Sequence, residues 1–222
     1  MRNISLSEGE HYHIFNRGVD KKNIFVDQND FNRFLIGLKL FNTREIVGNL
    51  SRQHEIENKN KLVDFTAYSI SSNHFHFILK PICEKGIEMF MHKLSMGYAK
   101  YFNAKHKRSG ALFQGKFKAI LVDTNEYLLH LSAYINLNNH AHARGHSVST
   151  FEKSSFNEYS GKKSSTDLCK TNIILEQFDS PAKYKEFAEE ALANIIERKN
   201  LLDDLKGEEI VWTPSVNMGG KK

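Results

Sequence analysis

The sequence predicts an α+β fold: an antiparallel sheet in the ferredoxin-like β-α-β-β-α-β order, with an added helix and a C-terminal helical extension. Three observations carry that prediction. Short runs in which apolar and polar residues alternate recur four times before residue 123, as strands do. Apolar residues at helical spacing fill two of the gaps between those runs. Only the second and third runs are close enough for a tight turn, so they form a hairpin while the other joins cross over.

The first run, His11 to Arg17, reads His-Tyr-His-Ile-Phe-Asn-Arg and stops at Gly18. Asp30 then offers an N-cap for a helix whose Phe31, Phe34, Leu35, Leu38 and Phe41 follow helical spacing. Asn42 to Lys61 is polar and reads as a helix end followed by a loop. Leu62 to Ile70 is the second strand, with the turn at Ser71-Ser72 or a neighbour. Gly86 to His106 is a helix with Ile87, Phe90, Met91, Leu94, Tyr98, Tyr101 and Phe102 in its stripe. Gly97 interrupts it at a cost of about 1 kcal/mol relative to Ala. Lys105 to Gly110 is a basic loop, and Phe117 to Val122 is the fourth strand. Asp123 or Thr124 caps a further helix through Leu137, with Tyr127, Leu128, Leu131 and Ile135 turned inward. Ser147 to Lys170 is rich in Ser, Lys and Gly and reads as a loosely structured linker. Ser180-Pro181 starts a final amphipathic helix that carries Tyr184, Phe187, Ala191, Ile195 and Leu202. The chain therefore divides into residues 1–146, one domain, and 147–222, a linker with a helical extension.

Composition bounds the classes. The chain has 222 residues, 40% hydrophobic and 11% aromatic, enough for a core. No apolar run approaches the roughly 20 residues of a membrane span, so a membrane is not an expected partner. The N-terminus Met1-Arg2-Asn3-Ile4-Ser5 lacks the apolar core of a secretory signal, and the two cysteines, Cys83 and Cys169, lie far apart. Both point to a reducing compartment, the cytoplasm. The net charge of +5 is unevenly spread. Nine Lys or Arg face two Glu between Lys80 and Ala119, whereas ten acids face five bases between Glu176 and Glu209. The central basic block reads either as a polyanion-binding surface or as a solvated face.

The chemistry centres on Asn73-His74-Phe75-His76-Phe77-Ile78-Leu79. On a strand, residues two apart share a face, so His74 and His76 present two imidazoles together while Phe75, Phe77 and Leu79 face a core. Two imidazoles on a rigid element are half of a divalent-metal site. Two other His-x-His pairs occur. His11/His13 opens a strand, where a histidine can simply pack or hydrogen-bond, and His140/His142 follows a helix end, where such spacing does not share a face. Downstream, His130, Tyr134 and Asn138 lie along one face of a helix whose other face is Leu128, Leu131 and Ile135. That row carries a phenol, an amide oxygen able to ligate a metal, and an imidazole.

These residues resemble a known family, the HUH-type single-tyrosine transposases of the insertion-sequence transposase A superfamily, and most nearly its REP-associated tyrosine transposases. The resemblance runs from about His11 to about Gly145. It rests on Tyr12-His13-Ile14-Phe15-Asn16-Arg17-Gly18, Asn73-His74-Phe75-His76 and Tyr98-Ala99-Lys100-Tyr101-Phe102-Asn103. It continues through Gly110-Ala111-Leu112-Phe113-Gln114-Gly115-Lys116-Phe117-Lys118 and Tyr134-Ile135-Asn136-Leu137-Asn138. It implies that His74 and His76 bind a divalent cation, Mg²⁺ or Mn²⁺, that Asn138 completes that metal site, and that Tyr134 is the nucleophile on an added catalytic helix. The family usually reads Asn-Pro after this helix; here the residues are Asn138-Asn139.

The implied activity is that of a metal-dependent endonuclease and strand transferase acting on single-stranded or hairpin DNA through a 5′-phosphotyrosine. A tyrosine phenol ordinarily titrates near roughly 10, so a base must take its proton. His130, one turn before Tyr134, is either that base or a neighbour. Lys100, Lys105, Lys107, Arg108, Lys116 and Lys118 are candidates to track a phosphate backbone, and Arg17 is a further contact by resemblance. Tyr101, Phe113 and Phe117 either stack bases or belong to the core. Two alternatives stand beside this reading: a domesticated, non-transposing protein that binds DNA hairpins, and an RNA-binding protein on the same fold. Relatives include dimers with the tyrosine in trans and monomers with it in cis; the long C-terminal extension favours a monomer.

Overall fold

The structure, a computed structural model, describes residues 5–46, 60–142, 151–162 and 166–206; for 138–142 and 195–206 it describes the backbone alone. The elements are β1 (His11–Arg17), α1 (Gln28–Leu40), β2 (Val63–Ser71), β3 (His74–Pro81), α2 (Gly86–Lys105), β4 (Lys118–Val122) and α3 (Asn125–His142). They continue with β5 (Lys153–Ser154), α4 (Phe156–Tyr159), α5 (Asn172–Leu175) and α6 (Pro181–Lys206). The strands form one sheet in the order β4-β1-β3-β2-β5, and every adjacent pair is antiparallel. The expected α+β class and the β-α-β-β-α-β succession are therefore present. No helix among the described residues is long and apolar enough to cross a membrane.

The pleat divides the strands between two cores. Tyr12 and Ile14 of β1 and Phe75, Phe77 and Leu79 of β3 join Phe34 of α1 and Phe90, Leu94 and Tyr98 of α2 on one face. On the other, Ile78 of β3 and Ala67 of β2 pack beneath Leu128, Leu131 and Ile135 of α3, with Tyr184 and Ala188 of α6 behind them. Each of Phe34, Phe77, Leu131 and Ile135 is fully buried, and a large apolar side chain gains about 1.5–3 kcal/mol from that burial. Because a one-residue slip would exchange the two faces, these cores also fix the register that places the histidines.

Some boundaries differ from expectation for identifiable reasons. The cap of α1 is Asp27, one turn before the expected Asp30; Asp30 is instead the third helical residue and returns the capping-box bond to the Asp27 backbone. The β2–β3 turn is Ser72-Asn73, and Thr124 caps α3 by accepting from the Tyr127 N–H at 3.1 Å. Gly97 is a seat rather than an interruption: a Cβ there would stand 2.5 Å from Cζ of Phe41, which lies against the helix.

The larger difference lies in residues 147–170. Within its described part, the stretch expected to be a loose linker supplies β5, which pairs with β2 through Ser69 and Ile70, and α4, whose Tyr159 is fully buried. The Tyr159 hydroxyl donates to the Thr66 carbonyl at 2.6 Å, and Ser155 accepts from the Tyr68 N–H at 3.0 Å. Glu158 accepts from Thr166 and from the Leu168 and Cys169 N–H groups. Serine and lysine content signalled a loop, but a few buried hydroxyls and one tyrosine are enough to dock it.

Candidate active site

The sheet face that carries Ile78 runs out, toward the β2–β3 turn, into a polar patch. His74 and His76 of β3 stand opposite Arg17 and Phe15 of β1, and Phe15 is in turn opposite Lys118 of β4. Paired residues of antiparallel strands point to the same side, so all five side chains share it. The imidazoles of His74 and His76 are half-buried, with ring centres 5.2 Å apart and planes nearly perpendicular. The Tyr134 ring of α3, also half-buried, stands 6.1 Å from that of His76, again nearly perpendicular. The structure thus brings His74, His76 and Tyr134 together from segments far apart in sequence.

Each histidine has a hydrogen-bonding partner behind it. His74 Nδ1 lies 2.6 Å from Asn73 Oδ1, and the Asn73 amide nitrogen donates to the Lys21 carbonyl at 3.0 Å. His76 Nδ1 lies 2.9 Å from Nε2 of His13, which is 1% exposed. Burial pushes the His13 imidazole down to about 3, so it is neutral at any ordinary pH. Its ring also sits against Phe15, and Phe15 stacks on His76 at 5.6 Å, forming a wall beside the pair.

Do these residues suit a divalent ion? An ion about 2.1 Å from each ligating nitrogen lies about 3.3 Å from each ring centre, so two imidazoles sharing it have centres about 4.7–5.4 Å apart. The observed 5.2 Å falls in that range. Among the described residues no group of three or more His, Cys, Asp or Glu could hold a metal, so these residues offer no third ligand of that kind. Asn138 falls one turn after Tyr134 in α3, which is where an amide ligand is expected, but its side chain lies outside the described residues. The expected set of two imidazoles and one amide oxygen would suit Mg²⁺ or Mn²⁺ with bound waters better than a closed four-ligand zinc.

The basic residues fall into two groups. Arg17 and Lys118 border the patch: the Arg17 guanidinium donates a hydrogen bond to Gln114 Oε1 at 2.5 Å, and Lys118 Nζ hangs 5.7 Å over the Phe15 ring, while Lys116 is exposed two residues before Lys118. Asn16 donates to the Gly115 carbonyl and the Gln114 N–H to that of Arg17, tying the 114–118 segment to β1. Lys100 and Lys107 are exposed on and after α2, on the opposite helical layer. Arg108 donates to the Ala111 carbonyl and lies over Phe102. Lys105, exposed at the end of α2, bonds both Asp27 and the fully buried Asp30 carboxylate at 2.6–2.8 Å. Phe113, 7% exposed, belongs to the core, and Phe117 packs against it. His130 rests its ring on Phe187 of α6, 5.2 Å away, which favours the neighbour reading over the base.

Sequence reasoning gave His13 only a packing or hydrogen-bonding role, and gave Phe15, Gln114 and Asn73 none beyond their place in motifs. The alternation of β1 puts His13, Phe15 and Arg17 on one face, which was a readable signal. The pairing of β1 with β3 that sets His13 against His76 was not readable, because nothing local specifies which strand lies beside it.

A family model described as "Transposase IS200 like" matches residues 9–138. No curated protein matches the sequence significantly. A solved structure of the REP-associated tyrosine transposase bound to a REP hairpin is similar at 13% identity and a TM-score of 0.49, covering 72% of this chain and 85% of that one. The family model spans more than half of the sequence and includes β1, the histidine strand and Tyr134, so the chain belongs to the IS200-like transposase family.

Proposed function

We propose that the protein is a metal-dependent endonuclease and strand transferase for single-stranded or hairpin DNA, with Tyr134 as its nucleophile. The observation that carries the reading is the approach of the Tyr134 ring to within 6.1 Å of His76, beside the His74/His76 pair and within one chain. That arrangement supports a tyrosine acting in cis.

The residues divide the work. The Tyr134 oxygen attacks a phosphorus in line with the bond to the 3′-oxygen. The new bond is phosphotyrosine to the 5′ side; the bond that breaks releases the 3′-oxygen, which leaves as a hydroxyl once protonated. The phenol proton passes to solvent or to a base. A different 3′-hydroxyl can reverse the step, so joining needs no outside energy. His74, His76 and Asn138 would hold Mg²⁺ or Mn²⁺, which supplies charge withdrawal from a phosphate oxygen. Arg17 and Lys118, on the same sheet face, offer positive charge to flanking phosphates, and the half-buried Phe15 offers a ring edge to a base.

The test is a 3′-labelled DNA hairpin incubated with Mn²⁺ or Mg²⁺ and resolved under denaturing conditions. A covalent protein–DNA adduct should form with the wild type and be absent from Tyr134→Phe. Retained binding without an adduct in the wild type would assign the chain to the non-cutting, hairpin-binding alternative. An adduct that persists in Tyr134→Phe would place the nucleophile elsewhere.

A further inference from the structure

A histidine ligates a metal only through a nitrogen that carries a lone pair, and a neutral imidazole has one such nitrogen and one N–H. Which is which depends on the partner of the other nitrogen. Around the paired histidines that partner is determined. The Lys21 carbonyl can only accept, so the Asn73 amide must turn its nitrogen toward it, at 3.0 Å. The atom left 2.6 Å from His74 Nδ1 is therefore the amide oxygen, which also only accepts. His74 Nδ1 must carry the proton, and Nε2 the lone pair. On His76 the same question is decided by His13, whose Nε2 is 2.9 Å from His76 Nδ1. If His13 carries its proton on Nδ1, its Nε2 accepts and His76 presents a lone pair at Nε2. In the opposite tautomer His13 donates, His76 Nδ1 accepts, and His76 Nε2 holds a proton instead.

We propose that Asn73 and His13 are positioning residues that accept the Nδ1 protons of His74 and His76 and so turn both Nε2 lone pairs to the metal. The inference rests on the reading of His74 and His76 as metal ligands. A second feature sharpens the role of His13: its Nδ1 is buried and has no hydrogen-bond partner among the described residues. The tautomer that prepares His76 therefore leaves a buried N–H unmatched, which opposes it in the metal-free protein. Metal binding draws His13 into that tautomer, so ion occupancy on β3 is felt on β1. This histidine lies in the HxH pair at the start of the first strand, where the sequence leaves it only a packing or hydrogen-bonding role.

The experiment is ¹⁵N NMR of histidine-labelled protein, with and without saturating Mg²⁺, alongside Mn²⁺ titration followed by electron paramagnetic resonance. In the wild type His74 should be the Nδ1–H tautomer with or without metal, and His13 and His76 should be Nδ1–H when Mg²⁺ is bound. Asn73→Leu should lose the fixed His74 tautomer and weaken Mn²⁺ binding about 10- to 100-fold, with Asn73→Asp, which still accepts, restoring both. His13→Phe should weaken Mn²⁺ similarly, with His13→Gln recovering part of the loss. A wild-type His74 protonated on Nε2 would overturn the inference, as would undiminished Mn²⁺ affinity in both Asn73→Leu and His13→Phe. The controls His74→Ala and His76→Ala separate the underlying reading: if they bind Mn²⁺ as the wild type does, the pair is no metal site and the inference falls with it, whatever the tautomers.

Discussion

The Tyr134 ring meets the His76 ring edge to face at 6.1 Å, although one sits on α3 and the other on β3. The contact joins two elements that the core places independently, since α3 packs over Ile78 two residues beyond His76. His76→Ala should therefore remove metal-dependent cleavage of a DNA hairpin by at least about 100-fold, as loss of a first ligand does. Hairpin affinity in the absence of metal should change by less than about threefold, because the residues proposed to meet phosphates, Arg17 and Lys118, remain in place. Parallel cleavage and filter-binding assays check this; an equal loss in both would make His76 a structural residue.

Why was so much of this centre legible? His74, His76 and Tyr134 are each marked by local periodicity: two imidazoles on one side of an alternating strand, and a phenol off the apolar stripe of a helix. What local periodicity cannot carry is which strands lie side by side. The partners His13 and Phe15 depend on the β1–β3 register, fixed by burial of Ile14, Phe75 and Phe77 on the far face. Lys105 misled for a related reason. Its charge matched the basic block around it, yet an acid pair 75 and 78 residues earlier in the chain bonds it. The docked segment after residue 150 was hidden because hydroxyl-rich sequence looks the same whether its hydroxyls meet water or buried carbonyls.

The split among the basic residues has a measurable consequence. Arg17→Ala and Lys118→Ala should each weaken hairpin binding and reduce the magnitude of the slope of log affinity against log salt by about 0.7–1, one phosphate contact apiece. Lys105→Ala should leave that slope unchanged while lowering thermal stability, because its ammonium is occupied by Asp27 and Asp30. A salt series from roughly 50 to 200 mM, fitted for each variant, decides between these roles.

Asp30 supplies the acid side of the stability profile. Burial opposes its charge, but bonds from Lys105, the Val26 N–H and His106 outweigh that and hold its carboxyl below the usual range. A carboxylate with a depressed native pKa adds stability above its unfolded value, near roughly 4, and loses it as pH falls through the native value. The wild type should thus lose stability steeply below about pH 4, and Asp30→Asn should flatten that limb. At pH 7 the variant should be less stable by about 2 kcal/mol, since it leaves partners of a buried carboxylate unmatched. Urea unfolding at pH 7 and at intervals below pH 5 would show it; an unchanged acid limb would mean that other carboxylates control it.

The sequence suggests a division after residue 146, but the neighbourhood of Tyr134 depends on residues beyond that point. Asn136, 1% exposed and two residues beyond the tyrosine, donates to the Tyr184 hydroxyl of α6 at 2.7 Å and accepts from Ser155 at 2.5 Å. The Tyr184 hydroxyl also meets Ser132 Oγ at 3.1 Å, and Tyr159 lies against Tyr184. Removing residues 147–222 would uncover Tyr184's seat on α3 and leave both polar ends of Asn136 without these partners, on the helix that aims the nucleophile. A chain ending at 146 should therefore unfold at lower temperature and give no covalent adduct even with His74, His76 and Tyr134 intact. Asn136→Ala in the full chain should reproduce part of this, lowering stability by about 1–3 kcal/mol and slowing adduct formation more than it weakens hairpin binding. Melting curves and single-turnover cleavage of the three proteins test the dependence. A truncated chain that cuts at the wild-type rate would show that α6 covers α3 without steadying it.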